Sequence, residues 1–120
     1  MKHATRVLIM GAVFFMMTAV AHAASEVIEV VTFKLKPGVS AQEFTNMDKA
    51  VGREHVAKQP GFISRESASG EDGTWLVVVH WRSRQDADAS MKSFTSAPSA
   101  KPFMDKLQAD TMKMIRYDKR

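Results

Sequence analysis

The sequence predicts an α+β domain with the ferredoxin-like order strand, helix, strand, strand, helix, strand: a four-stranded antiparallel sheet with both helices on one face. Three observations carry this reading. Extended segments alternate with period two, two helical stripes open on side-chain caps, and Pro/Gly pairs punctuate the joints. The strands are apolar on both faces and the chain holds no third layer, so a second copy is expected to cover the open face. The expected assembly is a homodimer, a dimeric α+β barrel.

The chain opens with the three parts of a secretory leader: Lys2 and Arg6, an apolar run from Val7 to Val20, and Ala21-His22-Ala23 as a small-x-small site. Cleavage after Ala23 is expected, because that run is 14 residues long and a spanning helix needs roughly 20. The product, residues 24–120, is one domain in the periplasm or outside the cell, with no membrane segment left. The chain has no cysteine, so neither a disulfide nor a thiol-linked lipid is available. Without Lys2 and Arg6 the 17 basic residues become 15 against 13 acidic ones, a balance that gives no reason to expect nucleic acid as a partner. The basic cluster Arg116, Lys119 and Arg120 reads as a solvated terminus.

Val27 to Lys36 is the first strand, with Val27, Glu29, Val31, Phe33 and Leu35 on one face and Ile28, Val30, Thr32 and Lys34 on the other. Pro37-Gly38 ends it. Ser40 and Glu43 form a capping box and Val39 and Phe44 a hydrophobic staple, so the first helix starts here. Its core stripe is Phe44, Met47, Val51 and His55, and it stops before Gln59-Pro60. Pro60-Gly61 is a tight turn, Phe62 to Ser69 a second strand, and Gly70-Glu71-Asp72-Gly73 a hairpin loop. The third strand, Thr74 to Arg82, places Trp75, Val77, Val79 and Trp81 on one face and Leu76, Val78 and His80 on the other, which marks it as central. Ser83 and Asp86 announce a second helix with Ala87, Met91 and Phe94 as its apolar positions. After Ser96-Ala97-Pro98-Ser99, a helical turn carries Phe103, Met104 and Leu107, and Thr111 to Tyr117 is the fourth strand.

Pro60-Gly61-Phe62, the aliphatic strand ending at Trp81, and Ser83 to Ala87 together resemble the antibiotic-biosynthesis-monooxygenase-type domains of the dimeric α+β barrel superfamily. The stretch from Phe33 to Ser40 is similar as well to the stress-responsive barrel domains of that superfamily. The resemblance implies a pocket between sheet and helices. Several members oxidise polycyclic phenols or quinols with O2 and without a cofactor, and a related branch degrades haem. Trp81 matches the family's strand-ending tryptophan, whereas Ser90 stands where a histidine is often found nine residues later.

Cofactor-free oxidation needs a general base and a dry apolar pocket. His80 and His55 are the candidate bases, since histidine titrates near neutral pH. Strand alternation puts His80 and Trp81 on opposite faces. The candidate substrate-binding residues are Trp81, Phe44, Phe62, Met91 and Phe94, all of which also suit an ordinary core. The methionines could suit Cu(I), but their spacings are those of core stripes. No Cys or His/Asp/Glu cluster suggests zinc, and there is no nucleophile elbow, phosphate loop or dinucleotide fingerprint. Two functions remain: an exported cofactor-independent oxygenase of small aromatic or quinol compounds, and a non-catalytic protein that sequesters a small apolar ligand.

Overall fold

The computed structural model describes Gly11 and residues 25–120; the expected leader, apart from Gly11, lies outside the described residues. The elements are β1 (Val27–Leu35), α1 (Ala41–Glu54), a single 3₁₀ turn at Val56–Lys58, β2 (Phe62–Ser69), β3 (Thr74–Trp81), α2 (Arg84–Phe94), α3 (Ala100–Asp105) and β4 (Leu107–Asp118). The strands form one antiparallel sheet in the order β2-β3-β1-β4. The two segments with the strongest apolar alternation, β1 and β3, therefore occupy its centre. This is the ferredoxin-like α+β arrangement expected from the sequence, with α3 as an added helical piece before the last strand.

The predicted caps account for where the helices begin. Ser40 Oγ accepts from the Glu43 N–H at 3.0 Å, and Ser83 Oγ accepts from the Asp86 N–H at 3.0 Å. At Pro60-Gly61 the Phe62 N–H returns to the Gln59 carbonyl at 3.2 Å. This turn requires positive φ at its third residue, and Gly61 supplies it at +81°. A β-carbon there would overlap the Asp86 carboxylate.

The helices cover one face of the sheet. Trp75, Val77, Val79 and Trp81 from β3 and Val27 and Phe33 from β1 are buried beneath them. At one end Phe44 from α1 meets Trp75 and Phe33 edge-on, with ring centroids 4.9 and 5.7 Å apart, and Phe103 from α3 closes the cluster. Among the described residues no helix lies on the opposite face. Ile28, Val30, Leu76 and Val78 are only half-buried there, and Ile115 and Tyr117 are exposed.

β4 departs from the sequence reading in its start and its shape. Leu107 continues the helical spacing of Phe103 and Met104, yet it is the first residue of β4 and pairs with Leu35. Thr32 pairs with Lys113 and Lys34 with Gln108, so β4 takes five steps where β1 takes two. The bulge is held by Thr111, whose Oγ1 accepts from the Lys34 N–H at 2.9 Å and donates to the Gln108 carbonyl at 2.6 Å. Arg116 also differs from expectation. It is not a solvated terminal charge; it lies on the covered face, its side chain only 10% exposed.

Candidate functional site

Antiparallel pairing places opposed residues on one face, so each row of the sheet can be read across the strands. One row on the covered face runs Arg65, Val79, Glu29, Arg116 from β2 to β4. The row beside it runs Ser67, Val77, Val31, Met114. Arg65, Val79 and Glu29 of the first row and Val77 and Val31 of the second, with Phe33, Trp81 and Met112, floor a cavity of about 530 Å³. Its roof is Ser90, Met91 and Phe94 of α2 and Ala100, Phe103 and Met104 of α3, and Val51 and Val56 close one side. Met91 and Lys101 are both exposed and both line the cavity, so it reaches the surface between α2 and α3. The volume lies within the range of small-molecule pockets.

Polar groups enter this apolar space at few points. Trp81 is 1% exposed, and its indole N–H is a buried donor with no hydrogen-bond partner among the described residues. The other tryptophan is different: the Trp75 N–H donates to Asp48 Oδ1 at 3.3 Å. Leaving a buried donor unpaired costs about 1–3 kcal/mol. Trp81 lines the cavity, so a ligand acceptor that reaches this N–H would relieve that cost.

Two ion pairs flank the floor. Toward β4, Arg116 Nε donates to Glu29 Oε2 at 2.8 Å, and the same guanidinium also holds Asp88 of α2. Burial alone would lower the Arg116 pKa, but its hydrogen bonds to Glu29 and Asp88 outweigh burial and raise it above the ordinary arginine value. Toward β2, Asp48 of α1 accepts from Arg65 Nη2 at 2.7 Å, Arg65 Nη1 at 3.0 Å and Ser67 Oγ at 2.6 Å. Glu29 and Arg65 both line the cavity.

Of the residues singled out from the sequence, Trp81, Met91 and Phe94 come together around this cavity. Phe44 and Phe62 stand behind its lining: Phe44 packs on Phe33 and Phe103, and Phe62 meets the edge of Trp81 with ring centroids 6.0 Å apart. His80 pairs across the sheet with Ile28 and Ser64 on the open face, away from the cavity of its own subunit. His55 caps the end of α1. Its Nε2 lies 3.2 Å from Ser93 Oγ, and its ring stands 5.8 Å from that of Phe94, outside the lining. Ser90, at the position where the family often has histidine, is buried and faces the cavity from α2.

Sequence reading did not single out Glu29, Arg65, Asp48 or Arg116 as site residues. For Glu29 the signal was available: one carboxylate interrupts the otherwise apolar face Val27, Val31, Phe33. Asp48, Arg65 and Arg116 are intelligible only through partners far away in the chain.

Residues 26–105 match the sequence profile of the antibiotic biosynthesis monooxygenase family. Among curated proteins no sequence matches the chain. Among solved structures, SnoaB, a cofactor-independent oxygenase from Streptomyces nogalater, superposes with a TM-score of 0.66 at 17% identity, covering 81% of this chain and 95% of its own. A monooxygenase from the gene ActVA-Orf6 of Streptomyces coelicolor, in complex with the ligand nanaomycin D, gives 0.64 at 19% identity over 80% and 88%. A conserved protein from Methanosarcina mazei Go1 gives 0.62 at 17% identity over 82% and 96%. At these identities the likeness shows a shared fold.

Proposed function

The chain belongs to the antibiotic biosynthesis monooxygenase family, and from that premise we propose that it is a cofactor-independent oxygenase of small aromatic or quinol compounds, exported from the cytoplasm and working as a homodimer. The observation that carries the reading is a largely apolar cavity lined by Trp81, whose buried indole N–H has no partner among the described residues. The structural neighbours described as a cofactor-independent oxygenase and a monooxygenase support it.

The chemistry asks little of the protein. A quinol and O2 give a hydroxyquinone and water: one oxygen atom enters the ring, and the other leaves as water with two of the quinol's hydrogens. The substrate supplies all four electrons, and it does so most readily once an O–H is ionised. A donor aimed at that oxygen stabilises the anion in a site from which water is largely excluded, where the interaction is strongest. The reading gives that task to Trp81, which lines the cavity. Neither histidine lines the cavity of its own subunit, so the reading relies on raising the substrate's own acidity. His55 connects to the roof through Ser93, and His80 would face the partner across the open sheet face.

Export rests on the leader read at residues 1–23. The homodimer rests on the apolar, uncovered sheet face formed by Ile28, Val30, Leu76, Val78, Ile115 and Tyr117, an exposed patch that marks an interaction surface.

The test is oxygen consumption by the purified protein on hydroquinones, naphthols and anthrone-like phenols, each corrected for autoxidation. Uptake should saturate with substrate, and Trp81→Phe should lower turnover about 100-fold. Ligand-dependent thermal stabilisation with no uptake across the panel would replace the oxygenase with a binding role.

A further inference from the structure

Beside Trp81 the cavity wall presents one carboxylate. Glu29 is 5% exposed and lines the cavity. Its Oε2 is taken by Arg116 Nε at 2.8 Å, while its Oε1 accepts from no side chain or backbone group among the described residues. The Arg116 side chain is only 10% exposed and is further held by Asp88, so its bond to Glu29 Oε2 leaves Oε1 as the free acceptor. An ionised carboxylate only accepts hydrogen bonds, and an indole N–H only donates.

The register fixes how these two groups stand. Trp81 pairs with Val27 and Glu29 with Val79, which makes Trp81 and Glu29 diagonal neighbours on the same face of β3 and β1. Diagonal neighbours of this kind lie roughly 7 Å apart at the backbone, so an aromatic ligand seated on this face meets both side chains. A ligand that satisfies both must present an acceptor to Trp81 and an O–H to Glu29. A quinol does so. A quinone offers only carbonyl lone pairs, and at Glu29 these meet a negative charge.

We infer that Glu29 makes the cavity selective for the reduced, hydroxyl-bearing form of an aromatic ligand over its oxidised, carbonyl form. The biological sense of this selectivity rests on the oxygenase reading, because the oxidised ring is then the species the site rejects and releases. Hydrogen bonds to charged groups are among the stronger ones in proteins, and losing this one while setting a lone pair against the carboxylate is worth about 10- to 100-fold in affinity.

The experiment is calorimetric binding of 1,4-dihydroxynaphthalene and 1,4-naphthoquinone to the whole protein under argon. Both probes share one carbon frame, and the chain has no cysteine to react with the quinone. The wild type should bind the quinol at least 10-fold more tightly. In Glu29→Gln the amide oxygen can keep the bond from Arg116 while the NH2 group turns to the cavity, and the preference should fall to within about threefold. A wild-type ratio near one, an unchanged ratio in the variant, or no binding of either probe would overturn the inference. The wild-type comparison stands even where the variant fails to fold. Selectivity without oxygen uptake would leave this inference standing and sink the oxygenase, and uptake without selectivity would do the reverse.

Discussion

Asp48 offers the sharpest test of what holds the floor of the cavity to the helices. It lies in the middle of α1 with its side chain 5% exposed, and it accepts four hydrogen bonds, two from Arg65 and one each from Ser67 and Trp75. Asp48→Ala strips the counter-charge from an Arg65 side chain that is itself only 10% exposed. Breaking a buried pair from one side costs about 3–5 kcal/mol, because the remaining charge is stranded. A domain of this size has about 5–15 kcal/mol in all, so the variant should lose a fifth of its stability or more. Removing the stranded charge as well, in Asp48→Ala/Arg65→Met, should recover roughly 2 kcal/mol and leave mainly the orphaned Trp75 N–H, worth about 1–3 kcal/mol. Urea unfolding followed by tryptophan emission measures both variants, at one protein concentration because association would shift the midpoint. With a slope of about 1.5 kcal/mol/M, the single variant should unfold about 2–3 M earlier than wild type and the double variant between the two. A double variant less stable than the single one, or a single variant costing under about 1 kcal/mol, would refute the stranded-charge argument.

Three further outcomes follow from the fold. Gly61→Ala must hold alanine at a φ of +81° and push its methyl against Asp86, so the melting temperature should fall by roughly 10 °C, and an unchanged melt would show that the turn can rearrange freely. Val78→Lys puts a charge in the middle of the uncovered sheet face; light scattering should show a dimeric wild type and a monomeric variant, and a monomeric wild type would end the homodimer proposal. Asp72 accepts from the Thr74 N–H and hydroxyl, and these bonds hold its pKa below the ordinary 3.8. Because the folded value is the lower one, its stabilisation is present above that pH and lost as pH falls through the folded value; melts between about pH 2 and pH 5 should show a smaller loss on acidification in Asp72→Asn.

The parts of the fold legible in the sequence are those governed by local chemistry. Ser40 and Ser83 name their helix starts because a cap is settled within three residues. β1 and β3 announce themselves because every second side chain must face the helices. The start of β4 could not be read this way: Leu107 fits the preceding helical stripe, and what makes it a strand is pairing with Leu35 and a bulge held by Thr111, both outside any local window. The apolar part of the cavity was legible in Trp81, Met91 and Phe94. Its charged part was not, because Asp48 reads as the polar side of an amphipathic helix and Arg116 as a chain-end charge until tertiary contact pairs them with Arg65 and Glu29.

The cavity is built from two kinds of material, and that division bears on how such a site can change. Its charges, apart from the exposed Lys101, come from one row of the sheet, each clamped by a partner and anchored in strands that also carry the core. The roof residues Met91, Phe94 and Met104 sit on two short helices joined through Ser96 to Ser99, and none of them takes part in that clamping. Exchanging one of them for a larger or smaller side chain reshapes the space a ligand must fill while every charged contact below stays where it was. In such a scaffold ligand size and ligand chemistry are separate variables, free to drift one at a time.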